Sequence, residues 1–341
     1  MPQFNNYVGI DVAKQDFYAC FAEPEASRKF NNTALGINSF LHHLTKQNFN
    51  PDNTLIGLES TGSYHLRLCL QAVSRSYQIK VINPLIVKKQ NQTNLRRVKT
   101  DKQDASLIRY CLTTGAGYSF AETAKTIQLK SLVRQRNSLA NLLFKNKRQQ
   151  ADIAYKEDCL HIKLNPVYQE IQALIRPKIK ELEQELKSFR KPEQQLLQTI
   201  PGVGPITAVS FVAEVGDIAR FKYPKQLVAF IGLDSRVHQS GTSVHGKGYI
   251  SKRGNKILRT RLYNACSVAV LHHNMFRTYF QKKRSEGKPY RVALVATMNK
   301  MTHVIHSVWT NNRPFVDYTR ETTKEAVRPL GLSTGEGLTG I

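Results

Sequence analysis

Four carboxylates in the first third of the chain, Asp11, Glu59, Asp101 and Asp104, are of a type and placement that can hold a divalent cation. Asp11 closes the apolar run at 7–10, and Glu59 closes a second run at 55–58. In an α/β sheet, ligand-binding groups gather at the carboxyl ends of strands, where both acids are expected. Asp101 and Asp104 stand at i and i+3, on one side of the first turn of a predicted helix. Converging there, the four make an oxygen cage suited to Mg²⁺, which takes hard oxygen ligands in octahedral array. Two such ions about 4 Å apart stabilise both the attacking and the leaving oxygens of an in-line phosphoryl displacement. Taken singly, each acid also has a plain structural reading: Asp101 and Asp104 complement the helix dipole, and Asp11 caps a turn. Asp16 is excluded from the set because it lies beyond the turn, in the next strand.

The elements that must position these groups are legible in outline. Residues 7–22 read as strand, turn and strand, with a short third strand at 28–31. Asn32-Thr33 precedes the helical spacing of Ile37, Phe40, Leu41 and Leu44. The run at 55–58 is a buried strand broken by Thr61-Gly62-Ser63, with a helix after it to about Ser74. Residues 79–82 are another strand, stopped by Asn83-Pro84. Thr100 is the predicted N-cap of a helix to about Thr113. Strands first and then alternating helix and strand predict a mixed α/β domain over about 1–122.

Two long helical patterns follow, at 126–150 (Leu129, Leu132, Val133, Leu139, Leu143, Phe144) and from Val167 to Phe189. Their near-heptad spacing is that of an antiparallel coiled-coil pair or dimer stalk over 123–195, and equally that of a plain core stripe. Pro177 is expected to kink the second. Residues 196–320 form a third, mainly α-helical segment ending in a buried helix from Tyr290 to Trp309. The tail, 321–341, is expected to fray.

Lys and Arg number 50 against 25 Asp and Glu, a net charge of +25 over 341 residues. This excess is the footprint of a polyanion partner, most often nucleic acid. Most of it lies after residue 120. The candidate nucleic-acid contacts are Arg96, Arg97 and Lys99, and the acid-free cluster of Lys247, Lys252, Arg253, Lys256 and Arg259, with Arg261 beside it. A second basic run holds Lys282, Lys283, Arg284, Lys288 and Arg291. At 41% hydrophobic residues the chain can bury a core, so a mostly disordered protein is excluded. No apolar run reaches the ~18 residues of a membrane span, and the first residues lack a signal-peptide pattern. Five dispersed cysteines with no CxxC argue against a disulfide framework or a zinc site. A cytoplasmic location is therefore expected. His303 and His306, at i and i+3, have no Cys or acid nearby and read as packing residues.

The segments Tyr-Val-Gly-Ile-Asp-Val-Ala-Lys (7–14), Leu-Glu-Ser-Thr-Gly-Ser-Tyr (58–64), Val-Ile-Asn-Pro (81–84) and Lys-Thr-Asp-Lys-Gln-Asp-Ala (99–105) together resemble the DEDD insertion-sequence transposases, relatives of the pilin-gene invertases. The resemblance continues through Ile-Pro-Gly-Val-Gly (200–204), Phe-Ile-Gly-Leu (230–233), Gln-Ser-Gly-Thr-Ser-Val-His-Gly-Lys-Gly (239–248) and Ser-Lys-Arg-Gly-Asn-Lys-Ile-Leu-Arg (251–259). It implies a RuvC-like (ribonuclease H fold) N-terminal domain, a helical coiled-coil spacer and a C-terminal transposase domain. The family's acidic quartet falls on Asp11, Glu59, Asp101 and Asp104, and its nucleophilic serine on Ser240. Where the family often has Arg, this chain has His245. The resemblance further implies a structured guide RNA that pairs with donor and target DNA, and a homo-oligomer, dimer or tetramer, acting at the bacterial nucleoid.

The residues alone would not single out Ser240, since serines in Gly/Ser loops are usually turn residues. A serine hydroxyl needs a base or a metal to become a nucleophile, and no base stands next to it in sequence. The expectation is that Mg²⁺ held by the quartet polarises the scissile phosphate while Ser240 attacks, with Thr242 and Ser243 as rival hydroxyls. Pro201-Gly202-Val203-Gly204 reads either as a helix-hairpin-helix phosphate contact or as a plain turn. Two other functional readings stand: a RuvC-like nuclease in which the quartet activates water, and a non-enzymatic nucleic-acid-binding protein.

Overall fold

The apolar residues of the first strand alternate with small or polar ones, and this alternation divides the first domain into two faces. The computed structural model describes residues 4–22, 26–59, 62–91, 100–160, 163, 165–189, 191–236, 239–240, 244–245 and 249–317. They fall into two compact units, Met1–Ala124 and Lys125–Ile341. The candidate contacts Arg96, Arg97, Lys99 and Lys247, the rival hydroxyls Thr242 and Ser243, and the tail at 321–341 lie outside the described residues.

In the first unit, β1 (Asn6–Val12), β2 (Asp16–Cys20) and β3 (Arg28–Asn31) form an antiparallel meander. After α1 (Ala34–Lys46), β4 (Thr54–Glu59) returns parallel to β1. Then come α2 (Leu66–Val73), β5 (Gln78–Ile82), α3 (Pro84–Asn91), α4 (Asp101–Thr113) and a two-residue edge strand, β6 (Tyr118–Ser119). The sheet order is β3-β2-β1-β4-β5-β6. It is a mixed α/β architecture, as the element pattern predicts.

Side chains alternate across a strand. Val8, Ile10, Phe17, Phe30, Ile56, Leu58, Ile79 and Val81 therefore bury one face against Ile37, Phe40, Leu41 and Leu44 of α1 and Leu68, Cys69 and Ala72 of α2. Leu55 and Ile82 on the other face pack with Val87 of α3 and Ile108, Cys111 and Leu112 of α4. Thr33 caps α1 by accepting the Gly36 N–H at 3.1 Å, and Thr100 caps α4 by accepting the Gln103 N–H at 3.3 Å. Strand β5 ends at Ile82, before Asn83-Pro84, as the sequence predicts, and Pro84 also opens α3, because proline at the first helical position lacks only an N–H that has no intrahelical partner.

The second unit is mostly helical. It contains α5 (Ala124–Leu160), α6 (Asn165–Ser188), α7 (Pro192–Gln198), α8 (Pro205–Val215) and α9 (Pro224–Ile231). Four short strands follow: β7 (Ser235–Arg236), β8 (Gln239–Ser240), β9 (Val244–His245) and β10 (Tyr249–Ile250). The unit closes with α10 (Lys256–His272), α11 (Asn274–Ser285) and α12 (Tyr290–Thr310). Its core runs from Leu197 through Phe211, Leu262 and Phe276 to Trp309. Helix α6 continues through Pro177. In the stripe predicted on α5, Leu129 and Val133 are buried with Leu186, Val209 and Ala213, while Phe144 farther along is 68% exposed. Among the described residues, no helix is long and apolar enough to cross a membrane.

Candidate active site

The acidic end of the first unit is built by the way α4 lies on β1. Arg109 Nε donates to the Tyr7 carbonyl at 3.0 Å. A Cβ added at Gly9 would stand 2.2 Å from the Ala105 carbonyl oxygen and 2.3 Å from the Arg109 nitrogen. Later residues of α4 thus lie over earlier residues of β1, so the two elements run in opposite directions. One same-face position beyond Gly9 is Asp11; Asp104 immediately precedes Ala105 and Asp101 lies about one turn before it. The steps from Gly9 to Asp11 and from Ala105 to Asp101 are of similar length, about 6.6 Å along a strand and about 6 Å along a helix.

The register β1 to β4 pairs Gly9 with Gly57 and Ile10 with Leu58, which sets Asp11 level with Glu59. Both acids share the face of Gly9 and Gly57, the face that α4 covers. Backbone register therefore brings all four predicted positions to one end of one face. The side chains do not close on a common point: among the described residues, no three His, Cys, Asp or Glu groups are arranged to hold a metal ion. Asp11, Glu59 and Asp104 each take part in hydrogen-bond or electrostatic interactions. The donor set, oxygen throughout and drawn from three elements, matches the chemistry of a hard divalent cation.

The same face continues sideways through residues that the sequence reading passed over. Tyr18 pairs with Asp11 across β1 and β2, and with Lys29 across β2 and β3. Lys29 Nζ lies 2.8 Å from the Asp16 carboxylate and 5.6 Å from the Tyr18 ring centroid. The hydrogen bond and charge of Asp16 hold the Lys29 ammonium above the usual lysine range, with a smaller pull from Asp101. The available signal was the alternation of Asp16 and Tyr18 with buried Phe17 and Ala19.

In the second unit, Ser240 lies in a short hairpin, where β8 pairs with β9 through Gln239–His245 and Ser240–Val244. The sequence predicts a polar, glycine-containing loop here, whereas Ser240 itself is in extended, paired backbone. The basic motif that follows is anchored by close backbone crossings. A Cβ at Gly232 would meet the Gly254 nitrogen at 2.6 Å, and one at Gly254 would meet the Phe230 carbonyl oxygen at 2.2 Å. These contacts account for the glycines in Phe-Ile-Gly-Leu and Ser-Lys-Arg-Gly-Asn-Lys.

Asn255 caps α10 by accepting from the Ile257 and Leu258 N–H groups at 2.9 and 3.1 Å. Its amide donates to Glu214 at 2.8 Å. Glu214, 1% exposed, also receives Arg134 Nε at 2.8 Å and Nη2 at 3.0 Å. Lys252, Arg253 and Lys256 stay exposed. Arg259 instead gives Nη1 to the Ile231 and Gly254 carbonyls at 2.8 and 3.1 Å, and burial lowers its pKa. Arg261 is buried and bonds Asn137 at 3.2 Å, with its pKa pushed down to about 10 mainly by burial. Two members of the predicted basic cluster therefore do structural work. His306 packs, with Nε2 at 2.8 Å from the Phe221 carbonyl.

Comparison with known proteins matches both halves. A DEDD transposase model of the IS110 type covers residues 8–153, and a model described as the transposase IS116/IS110/IS902 family covers 194–281. The chain is 28% identical over 323 residues to the pilin gene-inverting protein of Moraxella bovis, spanning 91% of this chain and 97% of the relative. It is 40% identical over 143 residues to the transposase for insertion sequence element IS1111A of Coxiella burnetii, covering 40% of this chain and 39% of that protein.

Proposed function

Because this chain is a transposase that carries both the IS110-type DEDD domain and the IS116/IS110/IS902-type domain, we propose that it breaks and rejoins DNA through a serine-linked intermediate. Ser240 Oγ attacks the scissile phosphorus as it loses its proton. The phosphorus–oxygen bond to one deoxyribose breaks, and that oxygen is protonated. The resulting phosphoserine keeps the energy of the broken bond for rejoining. Asp11, Glu59, Asp101 and Asp104 would hold Mg²⁺, which supplies polarisation of the phosphate and stabilisation of developing charge.

The observation that carries this reading is the lie of α4 on β1, which brings the four acidic positions to one end of one face. The mixed sheet with acids at strand ends supports a RuvC-like, ribonuclease H-type domain over 1–122. We assign dimerisation to the long helices of 123–195 and the serine chemistry to 196–320. Donor and target DNA, a structured guide RNA and further copies of the chain are the proposed partners. Exposed Lys252, Arg253 and Lys256 are proposed to contact phosphates.

The test is to incubate the protein with Mg²⁺, donor and target DNA and the structured transcript encoded beside the gene, then separate products under denaturing conditions. A protein–DNA adduct is expected from the wild type and none from Ser240→Ala. Undiminished DNA cleavage by Ser240→Ala would replace the serine mechanism with water attack.

A further inference from the structure

A basic hollow of about 440 Å³ opens between α11 and α12, away from the serine hairpin in sequence. Its walls come from Tyr279 and Lys283 on α11, Lys288 on the connecting loop, and Asn299, Lys300 and His303 on α12. Positions 279 and 283 are one helical turn apart, as are 299 and 303, so each helix presents one face to the hollow.

The cations are held in place. Lys283 and Lys288 both reach Glu286, at 2.8 and 2.9 Å. Arg284 Nη1 donates to the Lys288 carbonyl at 2.7 Å, and Gly287 turns the loop with φ of 78°. Lys283, only 18% exposed, is 5.5 Å from the Tyr279 ring centroid, and Lys300 is 4.7 Å from the same ring. Lys300 makes no salt bridge among the described residues, and burial lowers its pKa against a weaker pull from Asp317. A partly desolvated ammonium whose contact is an aromatic ring gains by receiving an anion. His303 is likewise held below its ordinary pKa, first by burial and then by His306 and Lys225. It lines the hollow together with Asn299. Three lysines against Glu286 and Asp317 leave the hollow net positive.

We propose that this hollow is a binding site for a backbone phosphate of a nucleic-acid strand, gripped by Lys283, Lys288 and Lys300, with Asn299 and His303 lining the site. The site rests on the reading of the chain as a nucleic-acid-processing enzyme and adds a contact remote in sequence from both the quartet and Ser240. Tyr279 is its aromatic wall, with the ammonium groups of Lys283 and Lys300 both near its ring. Glu286 spaces the lysines of the loop.

The test measures equilibrium binding of the full chain to a labelled mixed-sequence DNA duplex and to a labelled RNA hairpin over a series of salt concentrations. In the triple variant Lys283→Gln, Lys288→Gln, Lys300→Gln, the slope of log K against log salt should fall by about one unit for duplex DNA, with roughly ten-fold weaker binding at low salt. Lys300→Glu alone serves if the triple variant melts early, because Lys300 holds no loop contact. A control, Lys46→Gln, Lys88→Gln, Lys222→Gln, removes the same charge from exposed positions elsewhere. A slope change confined to DNA or to RNA identifies the strand that is held, and a change on both assigns a shared phosphate contact. Unchanged binding on both, or an equal loss in the control, overturns the site. A failure of the enzymatic reading is separate, since wild-type protein would then bind yet form no adduct.

Discussion

Gly9 of β1 lies against the backbone of Ala105 on α4, so closely that a Cβ at Gly9 would stand 2.2 Å from the Ala105 carbonyl oxygen. Nothing there can rotate away. Helix α4 reaches the sheet because residue 9 has no side chain, and the depth of that contact sets how near Asp101 and Asp104 come to Asp11. At Gly57 the atoms in the way belong to the Leu112 side chain, at 2.3 Å, which can change rotamer.

Gly9→Ala should therefore cost more than Gly57→Ala. We expect about 3 kcal/mol against about 1 kcal/mol, read from denaturant melts of the two variants. Equal losses would show that α4 does not rest on the β1 backbone.

Asp11→Asn and Asp104→Asn remove charge without removing volume. Each should reduce DNA cleavage by roughly 100-fold or more while thermal melting and duplex binding stay near wild type. Chelating divalent ions should act the same way at fixed ionic strength. Cleavage that survives chelation would exclude the proposed cation role of the quartet.

Arg134→Ala leaves Glu214 buried with Asn255 as its remaining described donor. Because Arg134 is itself 57% exposed, the cost should sit below that of a fully buried pair, at about 2 kcal/mol. Calorimetry of the second unit's transition should show its midpoint lowered by roughly 4–8 °C.

His43 packs on Phe21 with ring centroids 5.2 Å apart, and its Nδ1 lies 3.4 Å from Arg28 Nη1. Burial first, then Arg28 and Lys46, lowers its pKa below 6.5. The unfolded chain thus takes up this proton more readily than the folded one. The stability the neutral ring provides is present above pH 6.5 and is lost as pH falls through the lower folded value. Melting midpoints between pH 7.5 and pH 5.5 should drop more for the wild type than for His43→Leu. Parallel curves would remove His43 from the acid response.

The sequence by itself determined the chemistry and the local structure. The residue types of the quartet, the caps at Thr33 and Thr100 and the apolar alternation that splits the sheet into two faces are each encoded within a few neighbours. Periodicity and capping are short-range effects. What the tertiary structure alone decided depends on residues far apart in the chain. The antiparallel seating of α4 on Gly9 follows from steric fit between positions about a hundred apart. The removal of Arg259 and Arg261 from the exposed basic surface follows from carbonyls and an amide that folding brings beside them. The ring of Tyr279 faces Lys300 only because α11 and α12 pack together. A charge run in the sequence counts cations, whereas packing chooses which of them keep their charge facing solvent, because desolvating an ammonium or guanidinium is tolerated only where the fold supplies acceptors.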